Sequence, residues 1–400
     1  MKYVNYLKKI NKMKSIIKSI LDTDLYKLTM QNAILQKFPR LYVRYSFTDR
    51  NKTVYPSGFA NAVQEEINLM KNLQLDPSEI YFLLATRFLP PSYVDFLRGY
   101  QYNPAEVTVT QDKENHLHIE IEGYWYRTVL WEVPILAIVS ELFYKKTNQI
   151  IDITAFNTQD LCKLRKMEKH NAYFSEFGTR RRYSFENQNR LIYLFKTAGN
   201  HCFVGTSNVY LAYKYGIKAI GTMAHEWIMA HGALYGYRMA NPLAMNNWSD
   251  VYNGDLGIAL PDTFTTDVFL RTFDTKSAKL FDGMRQDSGD PYEFADKAVN
   301  HYKEKTIDPM SKTSVFSNAL TIDEAIEIKE YCVGRIKSSF GIGTHLTNDV
   351  GVKAMNIVMK LSAVEVNNIW IPAIKLSDDI GKNMGGSEEM DLCKRMLRIK

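Results

Sequence analysis

Four cysteines are all that the 400 residues carry, and they are scattered: Cys162, Cys202, Cys332 and Cys393. No two form a CxxC pair, which argues against a cysteine-bound zinc or a disulfide framework and fits a reducing, cytoplasmic setting. No apolar run approaches the roughly 20 residues a membrane span needs. A GxxxxGK[ST] loop, a GxSxG elbow and an HExxH helix are all missing. Nucleotide binding by a P-loop, serine hydrolysis and zinc hydrolysis are therefore disfavoured. His225 and His231 are six apart, not on the i, i+4 face a zinc helix uses. Charge of either sign is also unconcentrated. The net charge of +6 is spread along the chain, without the basic stripe expected of a nucleic-acid binder. It suits small anionic substrates. Residues 1–18 are rich in lysine and lack the continuous apolar core of a signal peptide. They read as an extension with Met13 as a candidate start; a basic amphipathic helix on a membrane surface is the other reading.

The length suits two domains. The first half reads as α+β. Asp22 or Thr23 is placed to cap a helix with Leu25, Leu28, Ala33 and Ile34 at helical spacing, stopped by Pro39. Residues 41–47 alternate as a strand, 59–73 form an amphipathic helix, and 107–109, 116–122 and 124–130 read as antiparallel strands. From about Ile150, short apolar runs alternate with helical stretches, the pattern of βα units. Seven strand ends follow at intervals of roughly 20 to 40 residues, which predicts a closed or nearly closed α/β barrel. Residues 355–366 and 370–376 read as two strands returning to the first domain, and 387–397 as a closing helix. The expected division is an N-terminal α+β domain over 1–148, joined by 355–400, and a barrel over 149–354.

The strand ends carry the chemistry. The stretch 217–227 ends an apolar run on Gly221 and presents His225 as a helical pattern begins, where α/β folds place ligands. In Arg285-Gln-Asp-Ser-Gly-Asp-Pro291, Asp290 is a good N-cap, Pro291 suits the first helical position and Glu293 completes a capping box. Ser288 and Gly289 could then bring backbone N–H groups against an anion, with Arg285 adding a bidentate fork. Asp287 could accept from sugar hydroxyls or metal-bound water. Ser317 and Asn318 precede a second capping box, Thr321 with Glu324, and Gly341, Gly343 and Thr344 form a third turn of this kind. Three such turns on one rim suit a ligand with more than one phosphate. Phe177 with Arg180 pairs an aromatic face with a guanidinium, which suits an aromatic acid. Each of these residues also has a purely packing or capping reading.

Taken together, Asp22-Thr-Asp-Leu-Tyr-Lys-Leu-Thr-Met30, Phe177-Gly-Thr-Arg-Arg181, Gly205-Thr-Ser-Asn208, Gly221-Thr-Met-Ala-His-Glu226, Asp262-Thr-Phe264, Arg285-Gln-Asp-Ser-Gly-Asp-Pro291 and Phe340-Gly-Ile-Gly-Thr344 resemble nicotinate phosphoribosyltransferases. The resemblance implies a type II phosphoribosyltransferase fold, an irregular α/β barrel with an α/β sandwich domain. It implies a reaction joining nicotinate to phosphoribosyl pyrophosphate, driven by ATP through a phosphohistidine that maps to His225. It implies a homodimer in which Tyr26 reaches the partner's ring pocket and Phe177 stacks on the other side. Arg180, Arg285 and Asp287 would surround ring, ribose and phosphates. Asp262 would lie near the ribose hydroxyls and Mg2+, with Asp262 and Asp287 as candidate metal ligands and the substrate phosphates as the main carriers. No nucleic acid or membrane partner is implied. Relatives that use nicotinamide have an aspartate where this chain has Ser207. A carboxylate there repels an acid, whereas a serine donates a hydrogen bond. The same scaffold acting on nicotinamide, and a noncatalytic basic binding protein, are the alternatives.

Overall fold

The computed structural model describes residues 15–399. The segment 1–14, with the candidate start Met13, lies outside the described residues. The expected extension over 1–18 is too long: Ile16 and Ile17 are buried, and the Ile16 backbone N–H donates to Glu66 at 3.0 Å.

Side-chain alternation builds the first sheet. Strand β3 (Leu117–Tyr124) buries every second residue, among them Leu117, Ile119 and Ile121, as a half-buried antiparallel strand should. It lies between β2 (Val107–Gln111) and β1 (Tyr42–Asp49). Beyond β1 come β11 (Ile357–Val366) and β12 (Ile369–Pro372), so the last strands of the chain close the first sheet, as their position predicts. Tyr42 faces Tyr124 on one side and Glu365 on the other, and the β1–β11 register shifts once, between Arg44 and Tyr45.

Two local readings are corrected. Residues 124–130 are not a strand; β3 ends at Tyr124 and the chain turns into a short helix, Trp125–Thr128. Aromatic, β-branched sequence favours a strand only where a pleated surface is free to receive it. Here Trp125 is drawn into the core, its indole donating to the Tyr45 hydroxyl at 2.8 Å and its backbone N–H to Leu41. Nor do Asp22 and Thr23 cap the first helix, which runs Leu25–Lys37 after Asp24. Asp22 is taken by Arg182, at 2.7 and 3.0 Å, in a pair with no solvent exposure. A buried charge needs its partner more than a helix end needs a cap.

The second half forms a parallel sheet in the order β6-β5-β4-β10-β9-β8-β7. Its strands are β4 (Phe174–Glu176), β5 (Phe203–Thr206), β6 (Lys218–Ala219), β7 (Ile258–Ala259), β8 (Gly283–Gln286), β9 (Thr313–Phe316) and β10 (Lys337–Ile342). Among the described residues β6 and β7 do not pair, so the sheet curls without closing. All seven predicted strand ends fall at its carboxyl edge.

The two sheets share one core. Trp125 of the first half stacks on Trp227 of the second at 5.9 Å, with Phe38 edge-on to Trp227. Beneath them Lys27 Nζ, fully buried, lies 2.5 Å from Glu132 and 2.7 Å from Glu226. Glu132 starts the helix Glu132–Lys146, and Glu226 follows His225. We expect Lys27→Met to destabilise the fold by about 3–5 kcal/mol, because two buried carboxylates lose their shared cation. Chemical denaturation should show part of that loss restored in Lys27→Met/Glu226→Gln.

Candidate functional site

At the carboxyl edge of the parallel sheet lies a narrow cavity of about 90 Å³ that opens to solvent. Tyr26, Glu132, Arg180, His225, Arg285 and Asp287 line it, and Lys360 enters from β11.

His225 is the first residue of the helix His225–Tyr235. The glycine turn before it lets the helix start come close: a Cβ on Gly221 would fall 2.9 Å from the Tyr26 backbone nitrogen. The imidazole Nε2 lies 2.9 Å from Asp262 Oδ1 and 3.0 Å from Lys375 Nζ, with Asp287 at 3.8 Å. Burial, and then the Lys375 ammonium, push the imidazole down to about 4, against the pull of Asp262. At neutral pH the ring therefore keeps a lone pair. Burial opposes ionisation of Asp262, but Lys375, His225 and the Ser288 hydroxyl at 2.6 Å hold it well below the usual carboxylate range. Asp287 is likewise held low against its burial, chiefly by Arg285 at 3.7 Å. Its Oδ1 accepts from Ser317 at 2.9 Å.

Across the cavity Arg180 lies 3.6 Å from Glu132 and 3.9 Å from Asp24. Burial raises the Asp24 carboxyl, although Arg180 and Ser207 pull the other way. Ser207 donates to Asp24 at 2.7 Å and is buried, so its hydroxyl is committed to a protein carboxylate and does not line the cavity. Tyr26, which the resemblance assigns to a partner's ring pocket, forms the wall of its own chain's cavity beside Arg180. The Phe177 ring lies over Gly341, where a Cβ would come within 2.4 Å of it. Phe177, Gly341, Gly343 and Thr344 lie together but do not line the cavity, and Phe177 is half-buried.

The turn at Arg285–Pro291 differs from expectation in two ways. Asp290 caps the helix Pro291–Glu304 through the Tyr292 and Glu293 N–H groups, but Glu293 does not return the bond; it pairs with Lys297 at 2.8 Å. Gly289, left-handed at φ 76°, opens onto a separate cleft of about 360 Å³ rather than onto the His225 cavity. Asp290, Glu293, Asp378 and Asp379 line that cleft, a poor surface for an anion. The Thr321–Glu324 capping box forms as predicted, and Asn318 is held by Lys382 and by Asp379 at 3.3 Å.

The sequence reading missed Glu132, Lys360, Lys375 and Lys382. Lys375 and Lys360 each stand as the one charge in an apolar strand-like run, residues 369–376 and 356–364, which is the signal that could have found them. Lys382 Nζ donates to the Asp287 carbonyl at 2.7 Å. Burial, then repulsion from Lys375 and Arg50, pushes the Lys360 ammonium down to about 7.

Residues 21–140 match the family model described as the nicotinate phosphoribosyltransferase N-terminal domain, and residues 172–400 that of the nicotinate phosphoribosyltransferase family. The nicotinate phosphoribosyltransferase of Desulforapulum autotrophicum is 50% identical over 96% of this chain and 99% of its own length. That of Chromohalobacter salexigens is 46% identical over 96% and 99%. The crystal structure of nicotinate phosphoribosyltransferase from Porphyromonas gingivalis superposes with a TM-score of 0.93 at 48% identity, covering 95% of this chain and 99% of that one. The Vibrio cholerae structure does so with a TM-score of 0.89 at 33% identity, covering 97% and 95%.

Removing the ammonium beside the ring tests the electrostatic account. In Lys375→Met the His225 imidazole should titrate above its present value of about 4, since the like-charge repulsion is gone. NMR titration of the histidine ring signals reads the shift.

Proposed function

This chain belongs to the nicotinate phosphoribosyltransferase family, and from that premise we propose that its cavity joins nicotinate to phosphoribosyl pyrophosphate, with ATP hydrolysis coupled through a phosphohistidine at His225. The observation that carries the reading is a half-buried imidazole at the edge of a cation-lined cavity, where burial and the Lys375 ammonium 3.0 Å away push its pKa down to about 4. An imidazolium has no lone pair to give, so keeping the ring neutral is what a nucleophilic histidine needs. Nε2 faces both Asp262, which would take its proton, and the Lys375 ammonium, which would donate to it; in this reading the proton stays on Nε2 towards Asp262 and Nδ1 is the nucleophile.

The steps balance as follows. Nδ1 attacks the γ-phosphorus of ATP, the bond to the bridging oxygen breaks, and ADP leaves. Arg285, Lys375 and Lys382 are placed to stabilise the transferring charge. In the glycosyl step the pyridine nitrogen attacks the ribose C1 carbon as the C–O bond to pyrophosphate breaks, giving nicotinate mononucleotide. Water then takes the phosphoryl group from the ring and releases phosphate. Arg180 offers the substrate carboxylate a charge-assisted pair, and Tyr26 offers the ring an aromatic face. Acid preference in this reading rests on Arg180. Ser207 acts one step back, by occupying Asp24. Holding ring and sugar in line supplies much of the rate.

The residues present suit Mg2+ at one of the two expected aspartates. Both Asp262 oxygens are engaged, and Lys375 at 3.5 Å opposes a dication there. Asp287 is half-exposed in the cavity wall and would hold the ion from the protein side. When bound on substrate phosphates, Mg2+ neutralises the leaving group. The homodimer and a cytoplasmic location belong to this reading as well. Among the described residues no helix is long and apolar enough to cross a membrane.

Three measurements test it. His225→Ala should lose ATP hydrolysis and coupling while keeping slow nicotinate mononucleotide formation at high substrate; normal ADP release by the variant removes His225 from the role. Wild-type ATP hydrolysis should stay level as pH falls below 6.5, where an ordinary histidine protonates, and decline only near pH 4, where this ring does. Ser207→Asp sets a second carboxylate against Asp24 and should raise the nicotinate KM by about tenfold through like-charge repulsion. An unchanged KM would show that position 207 has no influence on the ring pocket.

A further inference from the structure

Behind the loop that carries Lys375 and Lys382 lies a second cavity, of about 600 Å³. A bridge between Lys375 and Met384 pinches off residues 376–383 as this loop. On one side it delivers Lys375 to His225 and Lys382 to the Asp287 carbonyl. On the other, Leu376, Ser377 and Ile380 meet the helix Thr266–Thr272 and the end of the helix Ser387–Leu397. The second cavity shares no lining residue with the His225 cavity.

Its chemistry is that of an anion site. Arg271, Lys394 and Arg398 stand around it, with Arg271 donating to the Leu397 carbonyl at 3.0 Å and Lys394 lying 3.5 Å from Asp391. The two carboxylates in its wall are already engaged. Asp267 pairs with Lys297 at 2.9 Å, and Asp378 accepts from the Thr266 N–H at 3.0 Å and hydroxyl at 2.5 Å. Arg398 has no carboxylate partner among the described residues. Ser377 lines the cavity, and its hydroxyl, sealed from solvent beside it, has no hydrogen-bond partner among the described residues. A buried hydroxyl left without a partner costs free energy, and in native proteins such a group commonly awaits a ligand or water. On the rim Thr265 holds φ at 63°, a strained value for a β-branched residue of the kind that gathers at clamps and switches.

We propose that this cavity is a second anion site, for a small phosphate-bearing molecule, and that the loop between the two cavities passes its occupancy to His225. A ligand that orders Ser377 also orders Lys375, two residues away, and with it the ammonium facing the imidazole.

Crystals of the full chain soaked in sodium tungstate, a phosphate-shaped anion, should show an anomalous peak within contact of Ser377 and Arg398. In solution, inorganic phosphate titrated against the enzyme should alter its ATP hydrolysis severalfold. In Lys394→Ala/Arg398→Ala the phosphate concentration for half that effect should rise about tenfold or more, the cost of losing charge-assisted bonds. Its rate without phosphate should stay within twofold of wild type. Ser377→Ala, a gentler change, should weaken phosphate in the same direction. Tungstate confined to the His225 cavity, or the same phosphate response in wild type and both variants, overturns the proposal. The soak needs no turnover, so its outcome stands apart from that of the catalytic reading.

Discussion

One buried ammonium sets the rest in place. Lys27 has no access to solvent, and its charge is matched by Glu132 and Glu226 from two distant parts of the chain. Removing three charges from water is costly, and only close contact offsets it. The arrangement therefore tolerates few alternatives. Each member also sits beside a functional group: Tyr26 precedes Lys27, Glu132 itself reaches towards Arg180, and His225 precedes Glu226. The same contact that joins the first helix, the helix Glu132–Lys146 and the helix His225–Tyr235 thereby fixes the distances across the cavity.

The cavity is electrostatically prepared in two different ways. Arg180 is held between Glu132 and Asp24, and Arg285 beside Asp287, so these cations stay charged and ordered without a ligand. Lys360 makes no ion pair among the described residues, and burial, against the weaker pull of Glu132 and Asp287, pushes its ammonium down to about 7. An anion arriving in the cavity favours its charged form. His225 shows the reverse case, where burial and then a neighbouring cation keep a ring uncharged.

Much of this was legible in the sequence, because short glycine-bearing turns at strand ends follow local rules. The seven strand ends, the returning strands β11 and β12, the Asp290 cap and the Thr321–Glu324 box all form. The failures have one cause: tertiary partners outbid local preference. Asp22 left its cap for Arg182, Trp125 left its strand for Tyr45, and Ser207 turned to Asp24 instead of the cavity. Lys360 and Lys375, from the C-terminal segment, carried only one local signal, a lone charge in an apolar run. Nothing near them in sequence says that β11 lies against β1 and so brings position 360 over the mouth.

That pairing also orders events in time. Strand β1 lies between β3, made soon after it, and β11, made more than three hundred residues later. While the ribosome is still at work, β1 presents an unpaired edge, which invites association with other chains. The strand that seals this edge is the one that carries Lys360, and the segment just beyond it carries Lys375 and Lys382. A nascent chain thus acquires its protective seam and the last cations around His225 and the cavity in a single late stage of synthesis.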